Sequence, residues 1–135
     1  LICDEFYGTD GEHGYGYGQD EDQGQLGSWY VLAAMGLFDV QGGACSEPTY
    51  QLGSPEFDEI TVHLSKFNTK GGTFKIRAKG NSADAMYVQN ATFNGKPLDR
   101  CWLYCDEVFN GGELVLQMGT EPSDVWNNSE PPVSE

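Results

Sequence analysis

The apolar run from Leu26 to Phe38 constrains the fold most, because it is long enough for a helix and has almost no polar face. We predict a helix over residues 23–38, ended by Asp39 and the Gly42-Gly43 pair. A helix that is apolar nearly all round must be buried on most sides. A chain of 135 residues offers little to surround it. The missing cover indicates other helices that belong to a larger polypeptide.

From about residue 49 onward, the hydrophobic period changes to two. Alternation of apolar and polar side chains is typical of half-buried antiparallel strands. It occurs in four segments: Ile60–Leu64, Phe74–Ala78, Met86–Val88 and Leu114–Met118. We therefore predict a mixed α and β chain whose β-rich part is an antiparallel, β-sandwich-like module.

Glycine pairs and one Asn-Gly pair separate these segments. Gly71-Gly72 and Gly111-Gly112 indicate turns, and Asn94-Gly95 is the strongest hairpin signal in the chain. We place the β-rich module at residues 41–120. The proline-containing stretch 121–135 is expected to be a loosely ordered tail.

The net charge of −14 argues against a nucleic-acid or anionic-membrane partner, because both would repel this surface. No apolar run approaches the roughly 20 residues that a membrane-spanning helix needs, so no membrane span is predicted. Asn90-Ala91-Thr92 and Asn127-Asn128-Ser129 are acceptor triplets for N-glycosylation, which makes Asn90 and Asn127 candidate glycosylation sites. Such triplets favour a secreted or extracellular protein.

The chain has four cysteines, which allow three full pairings, and the sequence does not choose among them. Cys101 and Cys105 share a face if their strand is regular, too far apart for an easy bridge. A disulfide from Cys45 to Cys101 or Cys105 is a candidate. The two histidines lie far apart in the sequence, so no Cys/His metal cluster is predicted.

Three consecutive acids precede the apolar run and allow two interpretations. Asp22 followed three residues later by Gln25 matches a helix capping box, worth about 1 kcal/mol. Alternatively, Asp20 and Asp22 point to one side of an extended loop while Glu21 points away. Two carboxyl groups, one acid and one base, perform glycoside hydrolysis. The residues just before the acids are rich in Gly and Tyr and suit either an ordinary loop or the rim of a ligand site.

The same region resembles the C-terminal signature of glycoside hydrolase family 92, whose members are calcium-dependent, inverting exo-α-mannosidases. The likeness runs over most of residues 15–120 in the right order and spacing. It rests on these segments: Asp20–Gln25, Ser28–Leu32, Met35–Phe38, Tyr50–Asp58, Ala91–Pro97 and Gly111–Leu114.

The resemblance implies that residues 1–40 are the last part of a catalytic (α/α)6 barrel and carry its final catalytic loop and helix. It implies Asp22 as the general base, with Asp20 positioning the attacking water or sharing that role. Tyr17 and Trp29 are weaker substrate-binding candidates. Calcium is the implied cofactor, and its ligands in this chain are not assigned.

The implied function is release of mannose from terminal α-mannosides by a C-terminal fragment or small chain of a larger enzyme. The catalytic acid of the family lies upstream and has no counterpart here, so this chain alone is expected to be inactive. Its partners would be the rest of the same enzyme and a mannosylated glycan. One alternative is a non-catalytic β-sandwich module that binds glycan or a partner domain, with the acids only capping a helix. Another is an (α/α)6 glycosidase for a different sugar.

Overall fold

A computed structural model describes residues 2–3, 7 and 24–132. Within these residues, the longest helix is α1, Gln25–Ala34, and a shorter helix, α2, spans Cys105–Phe109. The strands, in chain order, are β1 Leu37–Phe38, β2 Thr49–Leu52, β3 Glu59–Leu64, β4 Gly72–Lys79, β5 Tyr87–Phe93, β6 Lys96–Pro97, β7 Trp102–Tyr104 and β8 Gly112–Gly119. The chain is therefore mixed α and β.

The larger sheet has five strands in the order β3-β4-β8-β5-β6. The central strands β4 and β8 bury their predicted apolar positions, and Phe74, Ile76, Leu114 and Leu116 are almost completely inaccessible. The predicted strands are confirmed, but one pairing is not antiparallel: β4 and β8 run parallel. Alternation of side chains reveals which face is buried and carries no information on the direction of the neighbouring strand.

A β-bulge changes the pattern at the start of β5. The register with β8 shifts between Val88 and Asn90. The inward position consequently moves to Ala91, which is 1% exposed, whereas Met86 is 55% exposed. The bulge inserts one unpaired residue into the period of two after Val88. The alternation expected from Met86 was also wrong at its first residue, because Met86 precedes β5.

The smaller sheet has three strands in the order β1-β2-β7 and lies next to α1. Leu37 pairs with Leu52 and Phe38 with Gln51. The predicted helix was thus too long, since α1 ends at Ala34 and the last two apolar residues form β1. The predicted regular strand through Cys101 and Cys105 was also wrong, because α2 begins at Cys105.

Helix α1 is much less covered than its composition requires. Among its ten residues only Ala34 is buried, and Val31 is 56% exposed. The expected burial on most sides is not found within the described residues. Neither described helix is long and apolar enough to cross a membrane.

The segment after β8 is held to the rest of the chain by hydrogen bonds from two indoles. The Trp126 Nε1–H donates to Leu98 O at 3.1 Å, and the Trp102 Nε1–H donates to Glu130 O at 2.8 Å. The Cys101 N–H donates to Ser129 Oγ at 3.1 Å. The expectation of a loosely ordered tail was therefore wrong for residues 121–132.

Candidate functional site

The predicted catalytic pair lies outside the described residues. Asp20, Asp22 and Tyr17 all fall within residues 8–23, of which the structure describes none. The nearest described feature in sequence is the start of α1, where Gly24 is the N-cap with φ +81°. The roles of Asp20 and Asp22 therefore remain predictions.

The start of α1 bears directly on the capping interpretation. In a capping box, Asp22 would be the N-cap and Gln25 the third helical residue. Here Gly24 is the N-cap and Gln25 is the first helical residue. The Asp22–Gln25 capping box was wrong, because the helix begins directly after Gly24, which has a left-handed conformation, and not after Asp22.

Aromatic rings are stacked beside this end of the helix. The Tyr7 ring lies 5.3 Å from the Trp29 ring, with an interplanar angle of 20°, and 5.1 Å from the Tyr30 ring at 28°. All three side chains are half-buried. We call Tyr7, Trp29 and Tyr30 the aromatic stack. Aromatic faces combine an apolar surface with polar tips, which suits packing against a sugar.

The sequence identified only part of this stack. Trp29 was a substrate-binding candidate, with packing in the core as its alternative, and the structure places it on Tyr7. Tyr7 was missed. Its only sequence signal is its place in the first of several Tyr-Gly pairs that precede the acids.

The Leu52–Glu56 segment braces the opposite end of α1. The Gly53 N–H donates to Gly36 O at 2.8 Å, and the Glu56 N–H donates to Ala34 O at 3.0 Å. The bond to Ala34 O satisfies a carbonyl group that the end of a helix leaves without an intrahelical partner. The segment therefore has a structural role: it fixes α1 against the β-rich part.

The Asn94-Gly95 and Gly111-Gly112 segments are also structural. Asn94 (φ +49°) and Gly95 (φ +76°) form the predicted two-residue hairpin between β5 and β6. The Asn94 Oδ1 then accepts from the Glu113 N–H at 2.9 Å. Two segments of the resemblance thus meet each other and hold the hairpin on β8.

A separate cleft of about 590 Å³ lies beside Arg100 and Trp102. The Arg100 guanidinium stands 4.5 Å from the Trp102 ring centroid and is paired with Glu107 at 2.6 Å. Trp102 is 7% exposed and its indole N–H is already bonded to Glu130. The charge of Arg100 and the ring of Trp102 are therefore both engaged in contacts within the chain.

Tyr50 and Cys105 form the one described pair with shifted acidity. Burial raises the pKa of the Tyr50 hydroxyl, and Cys105 and Asp39 raise it further. Burial also raises the pKa of the Cys105 thiol, followed by the effect of Asp39. Both groups are therefore mostly neutral at pH 7, and neither is an activated nucleophile.

The described residues contain no group of three or more His, Cys, Asp or Glu side chains that could hold a metal ion. Asn90 and Asn127 are both exposed, and their glycosylation stays a prediction. Cys45, Cys101 and Cys105 carry thiols in this structure, so the disulfide from Cys45 also stays a prediction.

Comparison with known proteins gives a consistent result. A sequence model described as the glycosyl hydrolase family 92 catalytic domain matches residues 1–120. A curated relative from Arthroderma benhamiae, named as an uncharacterized secreted glycosidase, is 33% identical over 117 residues. That match covers 84% of this chain and 14% of the relative. The chain thus spans about a seventh of the length of this relative.

Solved structures give the same pattern. A family GH92 α-mannosidase from Bacteroides thetaiotaomicron is 30% identical, with a TM-score of 0.80 over 97% of this chain and 17% of its own. A family GH92 inverting mannosidase from the same organism is 42% identical, with a TM-score of 0.66 over 79% of this chain and 14% of its own.

Proposed function

Because the chain belongs to glycosyl hydrolase family 92, we propose that it supplies the water-activating side of an inverting α-mannosidase. Asp22 takes a proton from the water that attacks the anomeric carbon, and Asp20 positions that water or shares the base role. The catalytic acid comes from the rest of the enzyme and protonates the leaving oxygen on the opposite face of the sugar. The substrate is a terminal α-mannoside of a glycan.

The start of α1 is the observation that carries this proposal. The capping box that would have explained Asp22 and Gln25 structurally is absent, since Gly24 caps the helix. The sequence still places Asp22 two residues before the positive end of the helix dipole, where a carboxylate is favoured in its ionised form. A general base must be ionised to accept a proton.

The aromatic stack supports a sugar-binding role for the same end of α1. Tyr7 stacks its half-buried ring on those of Trp29 and Tyr30, which lie in the middle of α1. We assign Trp29 and Tyr17 as candidate contacts of the mannose or of its leaving group. Calcium, when bound, would polarise the sugar hydroxyls, and its ligands in this chain are not assigned.

The exposed apolar surface of α1 supports the larger architecture. Val31 on α1 is 56% exposed, and the strand that follows leaves Phe38 42% exposed. A helix that is apolar nearly all round but has only one buried residue among those described is consistent with cover from other elements. We propose that this cover is the remainder of an (α/α)6 barrel, and that residues 41–120 belong to a β-sandwich-like C-terminal module. The fungal relative is named as a secreted glycosidase, which supports a secreted enzyme.

The rival function is a non-catalytic module that binds glycan or a partner domain. It treats the acids only as a helix cap, and the structure removes the capping box on which that interpretation depends. The rival keeps the aromatic stack as a glycan platform. It predicts glycan binding without hydrolysis.

Removal of calcium tests the proposed function. We expect the enzyme that contains this chain to lose mannose release by about 10²-fold or more in excess calcium chelator, since a metal ion supplies several kcal/mol of transition-state stabilisation. Activity should return on addition of calcium. The measurement is the rate of mannose release from an α-mannoside. Magnesium at the same concentration is the matched control, because it demands near-ideal octahedral geometry and dehydrates reluctantly. Unchanged activity in chelator would contradict the calcium-dependent proposal.

A further inference from the structure

We infer that Cys45 and Cys105 form a disulfide in the mature protein, and that Cys101 takes no part in it. The candidates from sequence were a bridge from Cys45 to either Cys101 or Cys105. The pairing of β2 with β7 decides between them.

Strand register places Cys105 beside the beginning of β2. Thr49 pairs with Tyr104, and the Cys105 N–H donates to Pro48 O at 2.8 Å. Cys45 lies only three residues before Pro48, on the segment that leads into the same end of β2. The two cysteines therefore flank one end of the smaller sheet.

The same register places Cys101 at the other end of β2. The Leu52 N–H donates to Cys101 O at 2.8 Å. Three residues of extended strand separate Thr49 from Leu52, a distance of about 10 Å. A disulfide requires Cα atoms within about 7 Å of each other, so the register disfavours a bridge from Cys45 to Cys101. The Cys101 Sγ instead accepts from the Ser129 hydroxyl at 3.7 Å.

The segment that carries Cys45 is loosely packed at its two glycines. Gly42 and Gly43 have positive φ, and a Cβ on either would meet nothing within 4 Å. The Cys45 thiol donates to Gln41 Oε1 at 2.9 Å, a partner on the same segment. This bond ties Cys45 to no other part of the fold.

The exposure of the two sulfurs sets the order in which they react in thiol–disulfide exchange. Cys45 is half-buried and Cys105 is buried, with Asp39 and Cys45 among the groups that raise the pKa of its thiol. The Cys45 thiolate attacks an oxidised disulfide, such as glutathione disulfide, and releases one thiol. The Cys105 thiolate then attacks the Cys45 sulfur and releases the second thiol. The protein loses two protons and two electrons, and the oxidant gains them.

Peptide mapping of the full enzyme tests this pairing. Trypsin does not separate Cys101 from Cys105, because no Lys or Arg lies between them. Chymotrypsin cuts after Trp102 and Tyr104 and thereby separates Cys101 from Cys105. After incubation with glutathione disulfide and alkylation of remaining thiols under denaturing conditions, we expect a reducible peptide pair containing Cys45 and Cys105, with Cys101 alkylated.

Two serine variants provide the controls. Cys45→Ser should leave Cys105 fully alkylated after unfolding, whereas Cys101→Ser should leave the bridge intact. Reduction should lower the thermal unfolding temperature of the wild type and of Cys101→Ser, and leave that of Cys45→Ser unchanged. A peptide pair that links Cys45 to Cys101, or full alkylation of both Cys45 and Cys105 after oxidation, would overturn the inference.

Discussion

Asp22→Asn is expected to lower kcat of the enzyme that contains this chain by about 10²–10⁴-fold, the range that a positioned general base contributes. Asparagine keeps the size of the side chain and cannot accept the proton of the attacking water. The thermal unfolding temperature should change little, because Gly24 and not Asp22 caps α1. The two measurements are mannose release from an α-mannoside and thermal unfolding of the same preparation.

Neighbouring substitutions make the Asp22 result specific. Glu21→Gln changes the charge by the same amount and should retain most activity, since its side chain is expected to point away from Asp20 and Asp22. Asp20→Asn should lower the activity more than Glu21→Gln does and less than Asp22→Asn does. Full activity of Asp22→Asn, with a stability loss of about 1 kcal/mol typical of a missing cap, would instead support the non-catalytic module.

Gly36→Ala is expected to destabilise the protein by about 2–5 kcal/mol. Gly36 has φ +72°, and a Cβ there would lie 2.8 Å from Pro55 N and 2.9 Å from two carbons of the Pro55 ring. A left-handed conformation costs a non-glycine residue about 1–2 kcal/mol, and overpacking costs a further 1–3 kcal/mol. Pro55 is buried and lies in the segment that braces α1, so it has little room to yield. Denaturant unfolding measures the effect.

Gly42→Ala is the matched control for this substitution. Gly42 also has a positive φ, +60°, and nothing lies within 4 Å of the position of its Cβ. The Gly42→Ala variant should lose only the stability that the left-handed conformation costs a non-glycine residue, about 1–2 kcal/mol. Equal losses for the two variants would show that the contact between Gly36 and Pro55 contributes nothing to stability.

The β-rich part could be predicted from sequence because the alternation of apolar residues within a strand indicates which of its faces is buried. Ile76 and Leu116 recur at a period of two with polar neighbours, and both are buried in the sheet. The parallel pairing of β4 with β8 could not be predicted in this way, since it depends on how the intervening chain returns to the sheet. Asn94-Gly95 was predicted correctly because a two-residue hairpin turn needs the positive φ that these residues adopt.

The helices show where local pattern fails. The apolar run continues unbroken past Ala34, yet the positive φ of Gly36 ends α1 and lets Leu37 pair with Leu52. Helix α2 was missed because it has only five residues and follows the β-favouring Trp102–Tyr104. The segment after β8 was misjudged from its prolines, since the bonds of Trp102 and Trp126 that hold it are made to residues distant in sequence.

The functional site was predicted by resemblance more than by pattern. Three consecutive acids before an apolar run fit a cap as well as a catalytic pair, and only the family resemblance favoured Asp20 and Asp22. The family itself is confirmed by the match over residues 1–120. Tyr7 could not be predicted as a partner of Trp29, because nothing in a Gly- and Tyr-rich segment indicates which ring will meet the helix.

The most direct test of this account is the anomeric form of the first mannose released from an α-mannoside, followed by proton NMR before mutarotation. An inverting enzyme, with water activated on the face opposite the leaving group, gives β-mannose first. We expect β-mannose to appear first with the wild-type enzyme. Initial release of α-mannose would contradict a water-activating base in this chain, and no release of mannose would contradict the proposed activity altogether.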